Sequence, residues 1–120
     1  MTTYVLCQNV AAIQAAPANG ALPVGSVGVN PAAGQAPINP QTQTFHAVVS
    51  GTSGNVSATI QPVVSNDGVN WLIYGSAIVI AAGATPQQGS GTGSSPWQYY
   101  SAYVTAISGT GAKVTVTMAV

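Results

Sequence analysis

An all-β fold is the class this sequence predicts: an antiparallel β-sandwich or jelly roll preceded by an extended Pro/Gly-rich N-terminal arm. Three observations lead there. Short runs of period-two alternation recur from Thr42 onward, Gly-rich turns separate them, and no stretch holds the 3.6-residue apolar period over the length of a globular helix. With 120 residues the chain is long enough for one ordinary domain, and a two-layer all-β arrangement gives it a core to bury.

Thr3 to Gln8 reads as a short first strand. Between about Asn9 and Pro40, five prolines (Pro17, Pro23, Pro31, Pro37, Pro40) interleave with Gly20, Gly25, Gly28 and Gly34. Proline removes a ladder donor and glycine weakens regular structure, so neither a long strand nor a long helix is expected here. An Ala-rich turn of helix at Val10 to Ala16 is the one regular element the stretch allows. The rest is expected as an extended arm reaching a neighbouring subunit, with a loop wrapped on its own domain as the alternative. The predicted organisation is thus a strand and arm over 1–40, followed by a β-sandwich domain over 41–120.

The strands of that domain follow from their alternation. QTFHAVVSG sets Phe45, Ala47 and Val49 against Thr44, His46 and Val48; NVSATIQ sets Val56, Ala58 and Ile60 against Ser57, Thr59 and Gln61. GTSG turns between them. Pro62 interrupts the second strand, which places that strand at an edge or calls for a bulge. WLIYGSA and AIVIAA supply two further strands, and the stretch from Gly83 to Pro96, rich in Gly, Ser, Thr and Gln, reads as a loop. The final pair, WQYYSAYVTAIS and AKVTVTMAV, flanks Gly109, Thr110 and Gly111, with Val114, Val116 and Met118 inward.

Charge is almost missing. Asp67 is the only carboxylate side chain and Lys113 the only ammonium, where a typical soluble domain is about one quarter charged. Polyanion binding needs Lys and Arg to release condensed counterions, so nucleic acid is not an expected partner. A chain without mutual repulsion suits packing beside copies of itself or within a larger shell. The longest apolar stretch, WLIYGSAIVIAAGA, is shorter than the ~20 residues of a bilayer span, so no membrane partner is expected. No Lys or Arg precedes the mildly apolar N-terminal run, so no secretory signal is expected.

Chemistry is poorly supplied. Cys7 has no second thiol with which to pair and reads as a small buried apolar residue. His46, the only histidine, lies opposite Phe45 on its strand and has the place of an ordinary strand residue. Neither a nucleophile elbow nor a GxxxxGK[ST] loop is present. No enzyme activity, catalytic residue, cofactor or metal is expected. Asn66, Asp67 and Gly68 form a structural turn: Asn and Asp tolerate left-handed backbone angles, and Gly takes positive φ without a clash. Calcium is the competing reading of SNDGVNW, but it takes six to eight oxygens, usually with several carboxylates.

The SNDGVNW turn, the Gly/Ser-rich stretch after it and the terminal SPWQYYSAYVTAISGTGAKVTVTMAV together resemble the small β-sandwich proteins of tailed-bacteriophage virions. In those proteins an SNDG-x-NW turn and a PW-x-Y…V-x-A-x-SGTG terminal hairpin recur. The resemblance covers roughly Val56 to Val120. It implies a virion structural role: a homo-oligomeric decoration or cement protein of the head, a trimer being one closed form, bound to the major capsid protein or other virion proteins and assembled in the host cytoplasm. A head-fibre or tail component is the neighbouring alternative. Candidate interface residues are Tyr99, Tyr100 and Tyr103, because adjacent strand residues face opposite ways, together with Pro23, Pro31 and Pro37 of the arm. A carbohydrate-binding or adhesion module is the competing class; it would use Trp71, Trp97 and the tyrosines as a stacking platform.

Overall fold

The structure is a computed structural model, and it describes residues 2–17, 21–31 and 42–120. Among the described residues there are eight strands and no helix: β1 (Thr3–Val10), β2 (Gln43–Ser50), β3 (Ser53–Ser65), β4 (Leu72–Ile73), β5 (Ile78–Ala84), β6 (Gln87–Gly93), β7 (Tyr99–Thr110) and β8 (Lys113–Ala119). They form two antiparallel sheets. One has the order β1-β8-β2-β6; in the other, β3 is central, with β7 on one side and β4 and β5 sharing the other.

The sheets face each other across one core. Leu6, Phe45, Val49, Val114, Val116 and Met118 of the first meet Val56, Ile60, Val64, Ile78, Tyr100 and Val104 of the second. The inward positions of β2, β3 and β8 are those that alternation selects, since every second residue of a strand points to the same face. Residues 1–40 do not form a separate packing unit over their described part: β1 pairs with β8 in the same sheet as β2.

Consecutive strands mostly fall in different sheets. The turns after β2, β5 and β7 each carry the chain from one layer to the other, so β7 and β8 are not the terminal hairpin that the sequence suggests. The three corners bind one another at one end of the sandwich. Thr52 donates its N–H to the Thr110 carbonyl (2.9 Å), Thr85 donates to the Gly54 carbonyl (3.1 Å), and Gly51 donates to Thr85 Oγ1 (2.8 Å). Gly109 and Gly111 take φ of 128° and 65°, angles that make so tight a reversal practicable only without a side chain.

Pro62 lies inside β3 and is neither at an edge nor a terminus. On its β7 side it stands opposite Ala102, whereas on the other side β5 pairs only as far as Ile60 and β4 begins at Val63. The imide therefore sits where no partner asks for an N–H. Gln61 Nε2 spans the same gap by donating to the carbonyls of Pro62 (2.9 Å) and Gly75 (3.3 Å).

Two expectations are corrected. The stretch from Gly83 to Pro96 is not a loop: it contains β6, in unbroken register with β2 from Gln43↔Gly93 to Val49↔Gln87. Its inward positions are Gly89, Gly91 and Gly93, and a Cβ on Gly89 would lie 3.1 Å from both Ile78 and Ile80. Glycine here admits the side chains of the opposite layer. Nor is there a helical turn at Val10 to Ala16; Asn9 takes φ of 52° and the following residues are irregular, with Gln14 bonded to Val104 of β7.

Packing of this kind predicts an asymmetry within one strand. Gly89→Val should destabilise by about 1–3 kcal/mol through overpacking, while Ser90→Val on the outward face should stay within about 0.5 kcal/mol of the parent; urea unfolding of the two variants measures both.

Candidate functional site

Three places hold whatever specificity the molecule has: the Asp67 turn, the aromatic groups near it, and the segment after β1. The turn is built around one carboxylate. Asp67 Oδ1 accepts the N–H groups of Val69 and Asn70, both at 2.8 Å, as well as the Ser65 hydroxyl at 2.9 Å, and Oδ2 accepts Asn70 Nδ2 at 2.8 Å. The backbone N–H groups of Asn70 and Val69, with the Asn70 amide and Ser65 hydroxyl, hold this carboxyl well below the usual carboxylate range. Gly68 supplies φ of 75° and leaves room for the Tyr99 ring, and Asn66 Oδ1 accepts the Gln98 N–H at 3.1 Å. The carboxylate is saturated by its own turn, and among the described residues no group of three His, Cys, Asp or Glu is placed to hold a metal ion.

Four of the aromatics, Phe45, Trp71, Tyr100 and Tyr103, are buried, while Trp97 and Tyr99 are half-buried. Tyr100 is fully buried between the sheets, in edge-to-face contact with Tyr74, which in turn meets Phe45. Tyr74 Oη donates to Gln43 Oε1 (2.5 Å) and accepts the Ser95 N–H (2.9 Å); Tyr100 Oη accepts the Trp97 N–H (2.7 Å). Trp71 and Tyr103 are buried too, but outside the main core. Val63 and Val64 are adjacent and face opposite ways; Val64 is in the core, so Val63 and its neighbours Trp71 and Tyr103 occupy the outer face of the second sheet. Leu22 and the half-buried Tyr99 complete that cluster. Of the three candidate interface tyrosines, Tyr100 and Tyr103 thus offer no ring to a partner.

What covers Trp71 is the N-terminal segment. A Cβ on Gly28 would lie 2.9 Å from its ring. Residues 26–29 bridge the open side of the sandwich, bonding β1 and β7 at once. Val27 donates to the Leu6 carbonyl (2.8 Å), Val29 and Tyr100 exchange two bonds of 2.9 Å, and the hydroxyls of Ser26 and Ser101 reach the carbonyls of Ala102 (2.6 Å) and Val27 (2.9 Å). Gln14, itself buried, locks the seam. Its N–H donates to the Val104 carbonyl, its Oε1 accepts the Val104 N–H, and its Nε2 donates to the Val24 carbonyl, each at 2.8 Å. The described part of the arm is therefore a clasp on its own domain. Pro23 is half-buried and Pro31 buried; Pro37 lies outside the described residues.

The remaining chemical groups are ordinary. Cys7 is buried and its thiol is pushed up to about 11 by burial, with a weaker opposing contribution from a backbone hydrogen bond at Val116. His46 Nε2 pairs with Gln88 Oε1 at 2.8 Å on the outer face of the first sheet. No buried side-chain nitrogen or oxygen among the described residues lacks a hydrogen-bond partner. The clasp corresponds to the alternative reading of a loop wrapped on its own domain; its residues carry no signal in the sequence, because single polar side chains standing in for a strand leave no period. In comparisons with known proteins, the chain matches no family model, no curated protein and no solved structure.

Two predictions test these assignments. Because the folded turn depresses the Asp67 pKa, its stabilisation is complete above the ordinary carboxylate value of about 4 and is lost as pH falls below it toward the folded value. Asp67→Ala should therefore melt lower than the parent at pH 7, the gap should narrow below about pH 4, and millimolar calcium should shift neither melting temperature. Gln14→Ala leaves the Val104 N–H without its acceptor and should cost about 1–3 kcal/mol, with faster amide exchange at Val104 as the local signature.

Proposed function

We propose that this chain is a structural protein of a bacteriophage virion, a decoration or cement protein that stabilises the head through contacts between subunits; a tail or fibre position is the alternative within the same class. The observation that carries the proposal is the surface: a clasped β-sandwich whose exterior holds one carboxylate and one ammonium side chain. The resemblance of Val56 to Val120 to phage virion sandwiches supports the same role. On this view the protein acts mechanically and is not a catalyst. A stiff body with satisfied polar groups adds buried area across seams between neighbours, and each such seam resists separation in proportion to the contacts made.

The glycan-binding alternative needs flat rings open to solvent; Trp71, Tyr100 and Tyr103 are buried, which leaves it the half-buried Trp97 and Tyr99. No helix among the described residues is long and apolar enough to cross a membrane.

The expected partners are copies of the chain and the capsid subunits beneath them. Light scattering of the purified chain over a hundredfold concentration range should give masses above the monomer. A monomer at every concentration would overturn self-association as the reason for the missing charge.

A further inference from the structure

The two charged side chains stand at opposite ends of the molecule. Asp67 lies two residues beyond the end of β3, whereas Lys113 pairs with Ser50 beside the corner from which β3 starts. At about 3.3 Å per residue the thirteen residues of β3 span roughly 40 Å, close to the 46 Å longest dimension of the molecule. Each charge also has an apolar companion. Val69 is 59 % exposed at the tip of the turn that Asp67 organises. Lys113 borders an open cleft of about 270 Å³ lined by Ala11, Ile107, Ser108, Ala112 and the glycines of the corner.

We propose that copies of this chain associate head to tail, the Asp67 turn of one seating in the cleft beside Lys113 of the next, with Val69 on the cleft's apolar floor and the two opposite charges adjacent. The occupant is a second copy because the two ends are complementary to each other and neither is complementary to itself: acid would meet acid, or base meet base, in a two-fold contact. Such a contact is heterologous. It closes into a ring where the rotation between neighbours permits and otherwise propagates. The cleft is large enough for a valine side chain, and the carboxylate, tied to its own turn, presents its charge without a rotamer to be fixed on contact. This inference rests on the assembly role above and specifies its interface.

Sedimentation velocity on the full chain tests it with Lys113→Glu and Val69→Asp, both at exposed sites, after their melting temperatures have been matched to the parent. Each variant alone should associate about tenfold more weakly or worse: Lys113→Glu sets two carboxylates against each other, and Val69→Asp puts a carboxylate on the apolar surface where valine packed. Lys113→Arg should retain the parent's association, and raising NaCl from 50 to 500 mM should weaken it. Mixing the two variants is decisive: Lys113→Glu keeps an intact turn and Val69→Asp an intact cleft, so the mixture should form a discrete 1:1 dimer that neither forms alone. A parent that assembles while both variants assemble equally well would overturn the head-to-tail contact and leave the assembly role standing. A parent that stays monomeric would overturn both.

Discussion

A two-sheet sandwich has open sides, and along each of them strands present N–H and C=O groups with no partner. Soluble proteins commonly guard such edges with charged residues, especially lysine. This chain has a single lysine, and the edge that β1 and β7 form is guarded by chain instead. Residues 26–29 satisfy β1 and β7 together, and Gln14 takes both backbone groups of Val104 with one amide side chain and its own N–H. The same segment covers Trp71, whose other neighbours in the outer cluster are Val63, Tyr99 and Tyr103. The low charge of the surface and the clasp are two aspects of one arrangement.

Most of the strands were legible because their faces differ. Phe45, Ala47 and Val49 alternate with polar residues since one side of β2 meets the core and the other meets solvent; the same holds for Val114, Val116 and Met118. Asn66, Asp67 and Gly68 were legible for a different reason, as each residue type answers a backbone requirement of a tight turn. What escaped was structure without apolar contrast. In β6 the inward positions are glycines because Ile78, Ile80 and Tyr74 already fill the space, and a glycine facing a core looks the same in sequence as a glycine in a loop. Trp71 escaped because a large ring suggests a core and says nothing about which side of a sheet supplies it.

The arm shows how composition constrains without deciding. Five prolines and four glycines exclude a long helix or strand between Asn9 and Pro40, and the described part of that stretch is irregular. Whether irregular chain leaves the domain or returns to it depends on whether the domain has groups to receive it. Here the free edges of β1 and β7 receive it. A molecule so closed along that side also meets its surroundings with exposed apolar side chains, Leu72, Ile73 and Val79 of β4 and β5 among them.

The alternation of successive strands between layers also governs how the chain reaches this state. Only β3 and β4, of all consecutive strands described, pair with each other; β1 waits for β8, β2 for β8 and β6, and β3 for β7. Loop closure must therefore precede nearly every stabilising contact, a topology associated with folding in milliseconds to seconds. The one hairpin of consecutive strands among the described residues, β3 with β4, offers only two residue pairs as a template. The nascent chain must carry its first strand unpaired until its last one exists, so that the sequence is committed as a whole and the finished sheet keeps no independently folded half.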